Sequence, residues 1–146
     1  MSVQEVLGIF RQKTAPAFEV ALRLGAAFAK AGKNVHEVLT RYSAALGTAY
    51  QIRDDLDDLA SEEAALTLKP TLPLAEALDR ARGADRTFLE ETWSTADVTP
   101  EDARRVRALI ESLRVEERCR QLLESYKEEA IRAQDQLDAG PGHGRR

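Results

Sequence analysis

Residues 50 to 59, YQIRDDLDDL, bring Gln51, Asp54, Asp55 and Asp58 into one short stretch. In a helix, positions i, i+3, i+4 and i+7 fall on the same side, so one amide and three carboxylates are expected to point into one shared volume. Such a cluster suits a hard divalent cation. Mg²⁺ is usually held by one or two carboxylates together with substrate phosphate oxygens and water, so the expected visitor is a phosphorylated molecule carrying its metal. The competing reading is a solvated acidic face, where like charges at helical spacing cost only a few tenths of a kcal/mol. Within a cavity the balance changes. At about 5.5 Å and an effective dielectric near 20, two carboxylates repel by about 3 kcal/mol, enough to shift a pKa or recruit a cation.

The elements that must position these groups are helices. Ser2 with Glu5 forms a capping box, and Val6, Leu7, Ile9 and Phe10 supply an apolar face for a first helix. Pro16 suits a first helical turn, so a second helix is expected from about Pro16 to Ala31, closed by Gly32. A third begins at Asn34, with Glu37 three residues on. Its apolar positions Val38, Leu39, Tyr42, Leu46, Ala49, Ile52 and Leu56 keep helical spacing through to the aspartates. After a polar turn, ASEEAA, helices are expected over 72–82 and 86–93. Thr99-Pro100-Glu101-Asp102 then opens a long charged helical region to about Leu137, with Val106, Ile110, Leu113, Leu122, Tyr126, Ala130 and Ala133 inward. The expected fold class is all-α, a helical bundle over residues 1–138 with a disordered tail, 139–146, of sequence AGPGHGRR.

Composition narrows the function. The 146 residues carry 21 Lys and Arg against 25 Asp and Glu, a net charge of −4, so no general attraction to nucleic acid is expected. The charge is segregated: residues 54–63 are mostly acidic, while Arg104, Arg105, Arg107, Arg114, Arg118 and Arg120 crowd residues 104–120, where a solvated helix face is the expectation. The single cysteine, Cys119, rules out an intrachain disulfide and suits a reducing, cytoplasmic setting. No apolar run approaches a membrane span, and the N-terminus has no hydrophobic signal core. His36 and His143 lack metal-ligand spacing.

Four features occur in order: Lys13-Thr14 in RQKTAPAF, the LGTAYQ lead-in, DDLDD, and Leu68-Lys69-Pro70-Thr71-Leu72-Pro73. In that order and at these separations the chain resembles the C-terminal half of the trans-isoprenyl diphosphate synthases, the polyprenyl synthetase family, from about Ser2 to Leu78 and more loosely to Leu137. The resemblance implies part of an isoprenoid-synthase fold. It also implies that Asp54, Asp55 and Asp58 bind Mg²⁺ bridging an allylic diphosphate, that Lys13, Thr14 and Gln51 contact that substrate in catalysis, and that Lys69 is a further candidate substrate contact. Breaking an allylic carbon–oxygen bond creates a carbocation and a polyanionic leaving group, so cations must be preorganised around the diphosphate.

The departures from the family pattern set the expected role. The chain has no second DDxxD to serve as the family's first aspartate-rich motif, Tyr50 stands for the usual Phe, Asp57 occupies a place usually apolar, and the lysine-bearing loop before K-x-T-L-P is shortened. The expectation is therefore one portion of a prenyltransferase, inactive alone, that elongates an allylic diphosphate with isopentenyl diphosphate once a complementary half supplies the other motif. The alternative is a non-catalytic helical partner of another synthase. Either predicts association, as a homodimer or with the complementary half.

Overall fold

The computed structural model describes residues 2–13, 15–28, 30, 32–59, 71–95 and 97–138. Among them are seven helices and no strand, so the fold is all-α: α1 (Val3–Lys13), α2 (Ala15–Phe28), α3 (Lys33–Leu59), α4 (Leu72–Arg80), α5 (Gly83–Ser94), α6 (Pro100–Ser112) and α7 (Val115–Asp138). They form two compact units, one of Met1–Gly8 with Ile52–Leu122 and one of Ile9–Gln51 with Leu123–Arg146. Helices α1, α3 and α7 contribute to both. The shortened ASEEAA segment and the tail expected over 139–146 lie outside the described residues.

The first unit is organised around α4. Every residue from Leu72 to Leu78 is buried, and α4 packs against both α5 and α6, which also pack together. Ile52 from α3, Val6 from α1 and Val115 from α7 complete an aliphatic core in which each is essentially inaccessible. The capping box at Ser2 forms in both directions: the Glu5 N–H donates to Ser2 Oγ at 3.2 Å and the Ser2 N–H to Glu5 Oε2 at 2.7 Å. That bond from the Ser2 backbone holds the Glu5 carboxyl below its usual range. The Val3 N–H, next in the same turn, donates to Asp79 Oδ2 on α4 at 3.1 Å. A helix start needs such acceptors because its first N–H groups have no partner within the helix.

The second unit is built differently. Along α3, Val38 is buried and then Ser43, Ala45, Gly47, Thr48 and Ala49, so the later part of its core-facing stripe in this unit is made of small side chains. The two hydroxyls are satisfied within the helix, Ser43 donating to the Leu39 carbonyl and Thr48 to the Ala44 carbonyl, both at 2.7 Å. From α7 come Ala130 and Ala133, again small and buried. Arg11 donates to the Tyr126 hydroxyl at 3.2 Å, and Arg41 is hydrogen-bonded to Gln136.

Several expected boundaries move, those of α4 and α5 by one to three residues. The second helix ends at Phe28 rather than Ala31, with Lys30 at φ 56° and its N–H on the Ala27 carbonyl; Gly32 then caps the next helix instead of closing this one, its carbonyl accepting from Val35 and His36. Because α3 begins at Lys33, Asn34 lies inside its first turn. The long charged helix breaks in two at Leu113 and Arg114, where Arg114 takes φ 53° and its N–H bonds the Glu111 carbonyl. No glycine or proline marks that break, which is why periodicity alone runs through it. Thr99 caps α6 as expected, accepting from the Asp102 N–H at 3.1 Å.

Candidate functional site

The last two turns of α3 carry Gln51, Asp54, Asp55 and Asp58, so the helix required by the spacing is present. Gln51 is half-buried, Asp54 and Asp58 are exposed, and Asp55 is buried with 6% exposure. The three carboxylates therefore do not share one environment. Asp55 Oδ2 accepts the Leu72 N–H at 2.8 Å, across 17 residues of chain. Leu72 is the first residue of α4, where the capping position is held by Thr71 with no side-chain bond and where the next residue, Pro73, has no N–H to satisfy. Asp55 thus supplies the acceptor that α4's own cap does not. An anionic carboxylate at a helix N-terminus is also favoured by the helix dipole.

A second contact holds the same end of α3. Arg107, half-buried on α6, donates to the carbonyl of Leu59 at 3.4 Å, placing a cation at the carbonyl end of the helix where the dipole favours it. The arginine stretch was expected to be a solvated face, and the structure divides it. Arg104 is exposed and Arg105 stacks over the Phe88 ring with 3.9 Å to its centroid, while Arg107 and Arg118 reach inward partners. Arg118 pairs at 3.9 Å with Glu76, a buried carboxylate on α4 that also receives Arg80 at 2.8 Å. Arg80 in turn donates to the Leu113 carbonyl at 2.8 Å, in the break between α6 and α7.

Cys119 reports on this polar neighbourhood. It is fully buried, and burial first, then the Glu76 and Asp55 carboxylates, push its thiol up to about 12, with Arg118 and Arg80 opposing. The thiol is a core group kept protonated, not a nucleophile. Neither Glu76 nor Arg107 was legible as more than a helix-face charge, since burial of a single polar residue leaves no periodic signal.

Of the remaining candidates, Lys13 is the last residue of α1 and is described by its backbone alone. Thr14 and Lys69 lie outside the described residues. Among the described residues no three His, Cys, Asp or Glu side chains stand together as a ready-made metal cage. Exposed Asp54 and Asp58, one turn apart, fit the smaller donor set that Mg²⁺ uses when phosphate and water complete its shell. No helix among the described residues is long and apolar enough to cross a membrane.

A family model described as polyprenyl synthetase matches residues 1–113. An all-trans-nonaprenyl-diphosphate synthase (geranyl-diphosphate specific) of Rhodobacter capsulatus is 28% identical over 136 residues, covering 87% of this chain and 41% of that protein. Among solved structures, a decaprenyl diphosphate synthase from Rhodobacter capsulatus superimposes with TM-score 0.82 at 28% identity, over 91% of this chain and 43% of the other. A polyprenyl synthase from Roseobacter denitrificans gives TM-score 0.83 at 26% identity, over 99% and 48%. The chain thus spans less than half the length of the relatives it matches. With the family model covering most of its residues, this chain belongs to the polyprenyl synthetase family.

Proposed function

We propose that this chain supplies the allylic-diphosphate side of a prenyl diphosphate synthase and works with a complementary half that carries the other aspartate-rich motif. The observation that carries this reading is the exposed pair Asp54 and Asp58 at the end of α3, on a chain that superimposes on polyprenyl synthases over nearly its whole length. Asp54 and Asp58 would hold Mg²⁺, with Asp55 the third member of the motif. The chemistry a bound Mg²⁺ supplies here is neutralisation of the departing diphosphate. Lys13, Thr14 and Lys69 contribute charge and hydrogen bonds to the same diphosphate, and Gln51, one turn before Asp54 and Asp55, orients it. The name of the nonaprenyl relative specifies geranyl diphosphate, a short allylic diphosphate of this class.

The test is ligand-dependent stability followed by complementation. Magnesium with geranyl diphosphate at a hundredfold excess over its dissociation constant should stabilise the chain by about 2.7 kcal/mol, and magnesium alone by little. Asp54→Asn should abolish the diphosphate-dependent part. Condensation with isopentenyl diphosphate should be undetectable with the chain alone and appear when the complementary half is added. Turnover by the 146 residues alone, or indifference to magnesium geranyl diphosphate, would overturn the reading.

A second reading, a non-catalytic helical partner of a synthase, is favoured by one observation: Val20, Leu24, Tyr50 and Ile131 are large apolar residues left more than half exposed. Association without diphosphate-dependent stabilisation would select it.

A further inference from the structure

We infer that Asp55 is a positioning residue, not a metal ligand: it ties the aspartate stretch to the start of α4 so that Asp54 and Asp58 are held facing solvent. The inference rests on the functional reading above for its metal, and on the structure for its tether. Asp55 is the one member of the stretch that is buried, and its Oδ2 accepts the Leu72 N–H at 2.8 Å. That bond joins two motifs that the sequence presents separately, the aspartate stretch and Lys69-Pro70-Thr71-Leu72-Pro73. The proline of the second motif removes one donor from the first turn of α4, and Asp55 satisfies the donor before it.

The chemistry separates the roles. Mg²⁺ dehydrates reluctantly and keeps several waters, so its carboxylate ligands need open surroundings, which Asp54 and Asp58 have and Asp55 does not. A buried carboxylate already engaged by a backbone N–H is suited instead to fixing geometry. Arg107 on the Leu59 carbonyl clamps the other end of the same turn, so α3 is fastened to α4 between the two members of the pair and to α6 just after them. Asn in place of Asp55 keeps one oxygen acceptor for Leu72 while it loses the charge and exchanges the other oxygen for an NH2 donor, whereas Ala removes the acceptor altogether.

The experiment uses the full chain with Mn²⁺ and inorganic pyrophosphate as probes, Mn²⁺ affinity being read by electron paramagnetic resonance, and amide exchange at Leu72 in the metal-free protein. Asp55→Ala should speed Leu72 exchange by tenfold or more, since it removes the acceptor that protects that N–H. It should also weaken pyrophosphate-dependent Mn²⁺ binding by about 10- to 100-fold, as loss of an outer-shell support does. Asp55→Asn should restore most of both, while Asp54→Asn loses Mn²⁺ binding with Leu72 exchange unchanged. If Asp55→Asn loses Mn²⁺ as fully as Asp54→Asn while keeping Leu72 protected, Asp55 is a ligand and the inference fails. If Leu72 exchange ignores Asp55→Ala, the tether fails. A wild-type chain that binds no Mn²⁺ with pyrophosphate overturns the functional reading and the metal half of this one, and Leu72 exchange still decides the tether.

Discussion

The two units solve the same packing problem with different side chains. The first seals itself with large aliphatic groups, Ile52, Leu72, Val6 and Val115 all at essentially zero exposure, and buries two carboxylates, Glu76 where two arginines meet it and Asp55 on the Leu72 N–H. The fully buried side chains of the second include Ser43 and Thr48, and the exposed large hydrophobics, Val20, Leu24, Tyr50 and Ile131, all belong to it. A unit that hides its aliphatic surface has a complete core. The second buries Phe10 and Val38 beside its small residues but leaves Val20, Leu24, Tyr50 and Ile131 outside. The aspartate stretch belongs to the first, so its carboxylates rest on the better-sealed of the two cores.

Deleting core volume should separate them most sharply. Ile52→Ala, in the first unit, should cost about 2–5 kcal/mol in chemical denaturation, the usual range for emptying a well-packed aliphatic site. A cost below about 1 kcal/mol would mean that this core can collapse around the hole.

Alkaline pH probes the same core through Cys119. Its thiol is raised from 9 to about 12, so between those values the unfolded chain loses a proton that the folded chain keeps. Stability from this group is intact below pH 9 and falls by about 1.4 kcal/mol per pH unit above it. Cys119→Ala should flatten that part of the pH profile relative to wild type, and Ellman's reagent should label the wild-type thiol only after unfolding.

In the second unit the sensitive change is addition, not deletion. Ala49→Leu should cost about 1–3 kcal/mol, because a larger side chain has no room where small residues set the helix approach. A neutral result by thermal melting would show that the small residues there are not under packing constraint.

At the break between α6 and α7, Arg114→Gly should stabilise by about 1 kcal/mol, since φ 53° is strained for arginine and the exposed pair it forms with Glu117 at 3.5 Å contributes little. Loss of stability on that change would mean that the Arg114 side chain supports the break.

The smallest thermal effect should come from the exposed face of α2. Val20→Ser with Leu24→Ser should move stability by no more than about 0.5 kcal/mol but reduce self-association in light scattering, because the two residues lie one turn apart on the same stripe. Unchanged association would assign the contact to other surface.

The helices themselves were legible because their causes are local. The Ser2 and Glu5 box, the Thr99 cap and the apolar repeat along α3 act within a few residues, and each appears where its pattern places it. The ordered motifs carried the family in the same way, as residue types at fixed separations. Less legible were the ends: Lys30 and Arg114 adopt left-handed backbone without glycine, a conformation that surrounding structure imposes against the residue's own preference.

What the sequence alone determined is therefore the all-α class, the family, and the presence of Gln51, Asp54, Asp55 and Asp58 on one helix. Only tertiary structure decided where each carboxylate sits. Neighbours on a helix point about 100° apart, so Asp54 and Asp55 could not both face the same surroundings once α4 packed against one of them. The N–H of Leu72, 17 residues away, selected Asp55 for the interior and left Asp54 and Asp58 outside. An acceptor for a helix start must come from whatever lies nearby in space, and the one-dimensional pattern does not record that proximity.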